Sequence, residues 1–377
     1  MTHLLVTNDF PPKVGGIQTY LWELWRRLPR GEAIVLTTAR RGAHGWDAGA
    51  PLPVHRVREP VLVPHRALAE RVRRLAAETG ATLVVLDPAL PLGLVGPALE
   101  LPYAVVLHVA EVTVAGRLPP TRPLLARALR GARGLVAAGG YPAAEAGRAI
   151  GTRGTVPEVV EIPPGVDLER FHPLDAEART AARRRLGLPA SGPLIVSGSR
   201  LVPRKGMDVL IEAATRLVPH RPELTIAIAG RGRDAGRLRT LAGRSGVRIR
   251  FLGQVPDADL ADLYGAADVF AMLCRNRWGG LEQEGFGIVF LEAAACGVPQ
   301  VAGASGGAAE AVVDGATGLV VPNPTDPDAV AAALARLLDD GELRDQMGRA
   351  ARRRVEAHFA WDDLAARLLD VLRGWAA

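Results

Sequence analysis

The chain has 377 residues, 48% of them hydrophobic, enough to bury a large core and to form two domains. Its formal net charge of +6 suits anionic partners. Arginine is spread along the chain without a basic tail, so nucleotide phosphates or an anionic lipid face fit better than nucleic acid. The two cysteines, Cys274 and Cys296, exclude a disulfide scaffold or a paired-cysteine zinc site and fit a reducing cytosol.

In chain order, Met1 leads directly into the strand-like His3-Leu4-Leu5-Val6-Thr7, so no signal peptide is expected. A loop, NDFPPKVGGIQ, then opens a helix with Ile17, Leu21, Leu24 and Leu28 at helical spacing. Gly15 and Gly16 would let the backbone approach a diphosphate, or simply turn a strand into a helix. Gln18, Trp22, Trp25 and Arg26 share another face of this helix, suited to a membrane interface or to packing under a neighbour. AIVLTT, VHRV, TLVVLD, YAVVLHVA, GLVAAG and TVPEVVEIPPG read as strands, with ALAERVRRLAAETG and RPLLARALRGA as helices between them. Such alternation predicts a parallel α/β sheet with helices on both faces.

The most apolar stretch, Ala81–Val109, is broken by Asp87, Pro88, Pro91, Pro97 and Pro102. It reads as two buried parallel strands rather than a membrane span. His108 and Glu111 end the second of them. Arg66, Arg71, Arg73 and Arg74 line a helix whose apolar stripe is Leu68, Val72 and Leu75, with Val61-Leu62-Val63 upstream. That helix can present a solvated basic face or rest on anionic lipid. Ile162-Pro163-Pro164-Gly165-Val166-Asp167 closes the first unit, its proline pair suited to a hinge. A second alternation follows in PLIVSGS, LTIAIAG, VRIRFLG, VFAML, PQVAG and GLVVP. The chain ends in an amphipathic helix with Trp361, Leu364, Leu368 and Leu369 on one side.

Several motifs carry chemistry. Arg200 and Lys205, five residues apart after an apolar strand, can clamp a diphosphate, the first as a planar fork and the second as a point charge; Arg204 is an alternative. Gly230–Gly236 approaches a dinucleotide fingerprint, but its last glycine is one residue late and the next strand, VRIRFLGQV, lacks the acidic residue that would hold a ribose, which argues against a nicotinamide or flavin site. Asp257-Ala258-Asp259 precedes a helix and reads as capping rather than a metal site, and no required metal is expected. In Arg275–Gly318, Glu284 and Glu292 have seven residues between them, and Gly285-Phe286-Gly287-Ile288 forms a tight loop opening a helix to about Cys296. Amides and dipole at that helix start favour an anion.

RWGGLEQEGFGIVFLEA, followed by SGGAAEAV and GATG, resembles the family 4 retaining glycosyltransferases and within them the bacterial phosphatidylinositol-mannoside mannosyltransferases; NDFPPKVGGIQ is similar to their N-terminal loop. The resemblance implies a GT-B fold, two Rossmann-like domains facing across a cleft. Residues 1–168, completed by a terminal helix at 358–377 that crosses back, would form the acceptor side, and 169–357 the nucleotide-sugar side. It implies that Arg200 and Lys205 bind the donor diphosphate and stabilise the leaving group, that Glu284 holds sugar hydroxyls, and that Glu292 holds the ribose. It implies donor contacts from Gly16, Gly285, Phe286, Gly287, Ile288 and Val289, a base-lining Val255 beside Gln254, and acceptor contacts from Asp9 and Gln18. His108 would touch the transferred sugar; Val109 replaces the glycine of the usual His-Gly-x-Glu, so Glu111 has no assigned role.

The activity implied is transfer of mannose from GDP-mannose, with no added cofactor, to a lipid such as a phosphatidylinositol mannoside at an anionic membrane surface. The enzyme would be cytoplasmic and peripheral on the inner face. The alternatives are transfer of another sugar to a small or polysaccharide acceptor, and a catalytically silent nucleotide-sugar-binding protein.

Overall fold

Leu4, Leu5, Val6, Leu83, Val84, Val85 and Leu86 have no exposed surface, because a parallel strand covered on both faces needs apolar residues at successive positions. These runs are the centre of a computed structural model that describes residues 2–151 and 156–377. Met1 and Thr155, which open the first and seventh expected strand segments, lie outside the described residues. Strands β1 (Thr2–Thr7), β2 (Ala33–Thr38), β3 (Val54–Val57), β4 (Ala81–Asp87), β5 (Tyr103–Leu107), β6 (Gly134–Ala137) and β7 (Glu158–Glu161) form one parallel sheet in the order β3-β2-β1-β4-β5-β6-β7. Leu4 pairs with Ile34 on one side and Val84 on the other, so the strand order reverses between β1 and β4. In an open α/β sheet, ligands bind beyond the carboxyl ends of the strands at such a reversal.

One face of this sheet is covered by Gly16–Trp25 and by the terminal helix Trp361–Ala376, whose Trp361, Leu364, Leu368, Leu372 and Trp375 are buried. The other is covered by Arg66–Thr79, Arg122–Arg130 and Gly140–Ile150. Met1–Pro164 with Trp361–Ala377 is therefore one compact unit.

The second unit, Gly165–Ala360, repeats the plan. Strands β8 (Leu194–Gly198), β9 (Thr225–Ala229), β10 (Arg248–Gly253), β11 (Val269–Met272), β12 (Gln300–Gly303) and β13 (Gly318–Val321) lie in the order β10-β9-β8-β11-β12-β13, all parallel. Here the reversal falls between β8 and β11. The sequence put the joints at 168 and 358. Gly165–Asp167, read as closing the first unit, instead belongs to the second: Val166 N donates to Phe359 O (2.8 Å) and Val166 bridges to Ala360.

Three local expectations need correction, and one open alternative is settled. The strand expected through His108 stops at Leu107; His108 caps the helix Val109–Arg117, so Glu111 lies in a helical turn. The first helix ends at Trp25, leaving Leu28 buried just beyond it. Trp25 is fully buried, and Trp22 packs edge-on against Phe10 and Trp46, which settles that face as packing. Asp257–Asp259 is a short helical turn whose side chains make no capping hydrogen bond; the Asp257 carboxylate pairs instead with Arg170 (2.9 Å). Among the described residues no helix is long and apolar enough to cross a membrane, and Ala81–Val109 holds β4 and β5 with a helical turn, Leu92–Ala98, between them.

Candidate active site

In the second unit, β8 delivers Ser199 and Arg200 to its carboxyl end, and the helical turn Pro203–Lys205 follows. Ser199 N donates to Ala229 O (3.1 Å) and Leu201 N to Arg231 O (2.9 Å), so the Gly230–Gly236 turn fixes this backbone. Lys205 is buried, its Nζ 2.7 Å from Glu284 Oε2 and 3.4 Å from Met272 Sδ. Arg204 Nη1 lies 2.6 Å from the same oxygen and the Cys274 thiol donates to it at 3.3 Å. Three donors thus converge on Oε2, while Oε1 of Glu284 has no partner among the described residues. Burial resists ionisation of Glu284, but the Lys205 and Arg204 charges win and hold its pKa at about 2. Burial drives the Cys274 thiol far upward, helped by the Glu284 charge, so it remains a neutral donor. Arg200 is exposed and holds no side-chain partner among the described residues, so the two halves of the expected clamp differ: one is fixed, the other free.

The Glu284 loop is held from behind. Gly306 and Gly307 pack so closely that a Cβ on either would lie 2.1 Å from the carbonyl oxygens of Glu284 and Gly285 respectively. Ser305 Oγ accepts from Glu284 N (3.2 Å) and donates to Asn276 Oδ1 (2.8 Å). This is the physical content of the SGG that follows the motif. Gly287 has φ +86 and caps the helix Ile288–Ala295, at whose start Ile288 and Val289 are half-buried. Phe286 is buried, its side chain packed against Phe359 (5.8 Å between centroids). Glu292 is inside the helix, half-buried, with its pKa pushed up to about 7 by burial despite a hydrogen bond with Tyr264. Val255 is half-buried in the loop after β10, and Gln254 is exposed.

In the first unit a hydrogen-bonded chain crosses the carboxyl ends of β1, β4 and β5. Asp9 N donates to Thr7 Oγ1 (2.8 Å), Thr7 Oγ1 donates to Asp87 Oδ2 (2.6 Å), and His108 Nε2 lies 2.7 Å from Asp87 Oδ1. Glu111 Oε1 accepts from His108 N (2.5 Å), a capping role that explains the acidic residue three positions on. Burial works against the His108 charge, yet the Asp87 carboxylate, with Glu111 and Asp9, raises its pKa to about 9. The Asp87 carboxylate, 2.7 Å from Nε2, therefore favours the charged form of His108 and fixes the orientation of its ring. Asp9 accepts from both Lys13 and Gln18, so the expected acceptor residues are together. Gly16 opens the first helix with no atom within 4 Å of where a side chain would be.

Asp87 is the residue the sequence reading missed. Its signal was an acid ending an otherwise apolar buried strand, beside the strand that delivers His108. Arg204 was seen only as an alternative, yet it shares Glu284 with Lys205. On the basic helix, Arg71 pairs with Glu59 (2.9 Å) and Arg73 with Glu100 (2.8 Å), while Arg66 and Arg74 are exposed. No group of three or more His, Cys, Asp or Glu suited to a metal occurs among the described residues.

Residues 178–354 match the family model for glycosyl transferases group 1. Over 98% of its length the chain is 38% identical to a GDP-mannose-dependent monoacylated alpha-(1-6)-phosphatidylinositol monomannoside mannosyltransferase of Corynebacterium glutamicum, covering 97% of that protein. It is 41% identical, with 98% of each covered, to the GDP-mannose-dependent alpha-(1-6)-phosphatidylinositol monomannoside mannosyltransferase of Mycobacterium tuberculosis. Among solved structures, HepE of Anabaena in complex with UDP superposes at TM-score 0.83 with 22% identity, covering 99% of this chain and all of that one. WaaG, a glycosyltransferase of lipopolysaccharide biosynthesis, does so at 0.71 with 20% identity and the same coverage. These likenesses identify the two-sheet GT-B architecture.

Proposed function

The chain belongs to the group 1 glycosyl transferases, and from that premise we propose that it transfers mannose from GDP-mannose to a phosphatidylinositol mannoside. Its relatives of that activity are matched nearly end to end. The observation that carries the reading is the one-sided loading of Glu284: Oε2 takes Arg204, Lys205 and Cys274, and Oε1 is left to accept from a sugar hydroxyl.

Glycosyl transfer develops positive charge on the sugar and negative charge on the departing diphosphate. Lys205 and Arg200 would meet the diphosphate, together with the amides of Gly16 and those near Gly287 and Ile288. Glu284 holds Lys205 in position before substrate arrives, so little reorganisation is needed during reaction. Glu292 is assigned to the ribose and Val255 to the base. His108, oriented by Asp87, is assigned to the transferred sugar, with Asp9 and Gln18 on the acceptor. Retention of configuration follows from the family, and the leaving phosphate oxygen would take the acceptor's proton. The same reading makes the protein a cytoplasmic enzyme that works at the inner face of the membrane.

The test is a panel of nucleotide sugars incubated with the protein without acceptor, measuring binding and slow hydrolysis of each. GDP-mannose is expected to bind tightest and to be hydrolysed. Preference for another nucleotide sugar would transfer the reading to another hexose, and binding without any turnover would leave a silent binding protein.

A further inference from the structure

Trp278 is 63% exposed, on the loop between β11 and Glu284. Its backbone has φ +51, a left-handed conformation that a bulky side chain rarely adopts. Gly279 and Gly280 continue with φ +62 and +85, so three successive residues fold the tip back on itself. The loop is pinned at its neck. Arg277 pairs with Glu282 through the backbone and through a 2.8 Å ion pair, and Leu281 N donates to Trp278 O (3.2 Å). The pins reach the donor residues. Asn276 is tied through Ser305 to the Glu284 amide, and Gln283 O accepts from the Arg204 that also holds Glu284.

Strain of this kind persists only where surroundings impose it, and it concentrates at ligand contacts. Left to its own preference, the chain would relax and let the indole pack. Here the Arg277 guanidinium lies over the ring at 4.9 Å from its centroid, and the ring remains largely in water. A flat indole left exposed on a loop pinned at its neck, on the same scaffold as the carboxylate assigned to sugar hydroxyls, suits the apolar C–H face of a hexopyranose ring.

We propose that Trp278 is a stacking platform for a hexose in the transfer reaction, either the acceptor's sugar or the donor's. This rests on the glycosyltransferase reading above and adds to it a residue outside the Glu284–Glu292 motif. The indole takes no part in bond making; it holds one ring while Arg200, Lys205 and Glu284 act on the donor.

The experiment compares the wild-type protein with Trp278→Ala and Trp278→Phe, using GDP-mannose and an alkyl mannoside as soluble acceptor. KM is measured separately for each substrate, with hydrolysis of GDP-mannose in the absence of acceptor. Trp278→Ala is expected to raise one KM by about tenfold, the loss of an apolar contact of this size, and Trp278→Phe to restore most of it. A rise confined to the acceptor KM, with hydrolysis unchanged, assigns the ring to the acceptor sugar. A rise in the donor KM and slower hydrolysis assign it to the donor. If both constants stay within twofold, or if Phe fails where Ala fails, the platform is wrong. A loss of binding to anionic vesicles with unchanged kinetics on the soluble acceptor would also overturn it, making Trp278 a membrane contact. Wild-type turnover is the control for the underlying reading: if another nucleotide sugar is the true donor, the same comparison is run with it, and stacking on a hexose is still expected.

Discussion

Lys205 Nζ and Glu284 Oε2 lie 2.7 Å apart inside the second unit, with Arg204 on the same oxygen. Two cationic side chains and one carboxylate leave an excess of positive charge where a diphosphate would dock, and the two cations hold the carboxyl well below the usual carboxylate range. Lys205→Ala is expected to lower transfer by a factor on the order of 100 or more, as removal of a transition-state electrostatic contact does. Its fold should survive, because Arg204 still neutralises Glu284. Glu284→Ala should behave differently, stranding two cations in a buried place at a cost of roughly 3–5 kcal/mol. Turnover and urea denaturation of both variants separate the two; unchanged turnover in Lys205→Ala would remove it from the site.

Metal dependence follows from the same charges. With Arg200, Arg204 and Lys205 available to the leaving group, activity is expected to survive EDTA. Complete loss, restored by magnesium or manganese, would reopen Asp257 and Asp259 as ligands, although Asp257 pairs with Arg170.

His108 supplies a pH signature. Its pKa is raised to about 9 by the Asp87 carboxylate acting against burial. A raised folded pKa stabilises the protein fully below the unfolded value of about 6.5, and that contribution is lost as pH rises through about 9. The stability of the wild type should therefore fall between about pH 7 and 9.5, and this component should be absent in His108→Gln. Denaturation midpoints across that range test it; equal slopes for the two proteins would mean that His108 is not charged.

The central strands of both sheets were legible because they are covered on both faces and so appear as unbroken apolar runs, unlike edge strands such as Val54–Val57 and Arg248–Gly253, and the E-x(7)-E loop was legible because glycines and carboxylates flank it at fixed spacing. What escaped the sequence depends on contacts between distant segments. Asp87 matters through Thr7, at the end of β1, and His108, just beyond β5; an acid closing an apolar strand marks the position, but its partners lie in distant segments. Phe286 looked like a donor contact by position, but its side chain is drawn into the core by Phe359. The end of β5 was misplaced because His108 and Val109 continue an apolar run, while the capping bond from Glu111 starts a helix there.

The basic helix makes the last prediction. Arg66, Arg71, Arg73 and Arg74 are not four unopposed charges: Glu59 and Glu100 pair with two of them, and Glu70 and Glu78 share the helix. Each arginine near an anionic surface contributes about 1 kcal/mol, so the opposed cluster is a weaker anchor than its count suggests. Val61 and Val63, 51% and 52% exposed just upstream, add apolar contact that salt does not screen. Wild-type protein is expected to bind anionic vesicles at low salt and to retain part of that binding at high salt. Reversing all four arginines should remove the salt-sensitive part, and Val61→Asp with Val63→Asp the remainder, while binding of GDP-mannose to the second unit is unchanged. Vesicle co-sedimentation across a salt series reads both components. If the wild type ignores anionic vesicles at low salt yet glycosylates a water-soluble acceptor efficiently, the lipid acceptor gives way to a small or polysaccharide one.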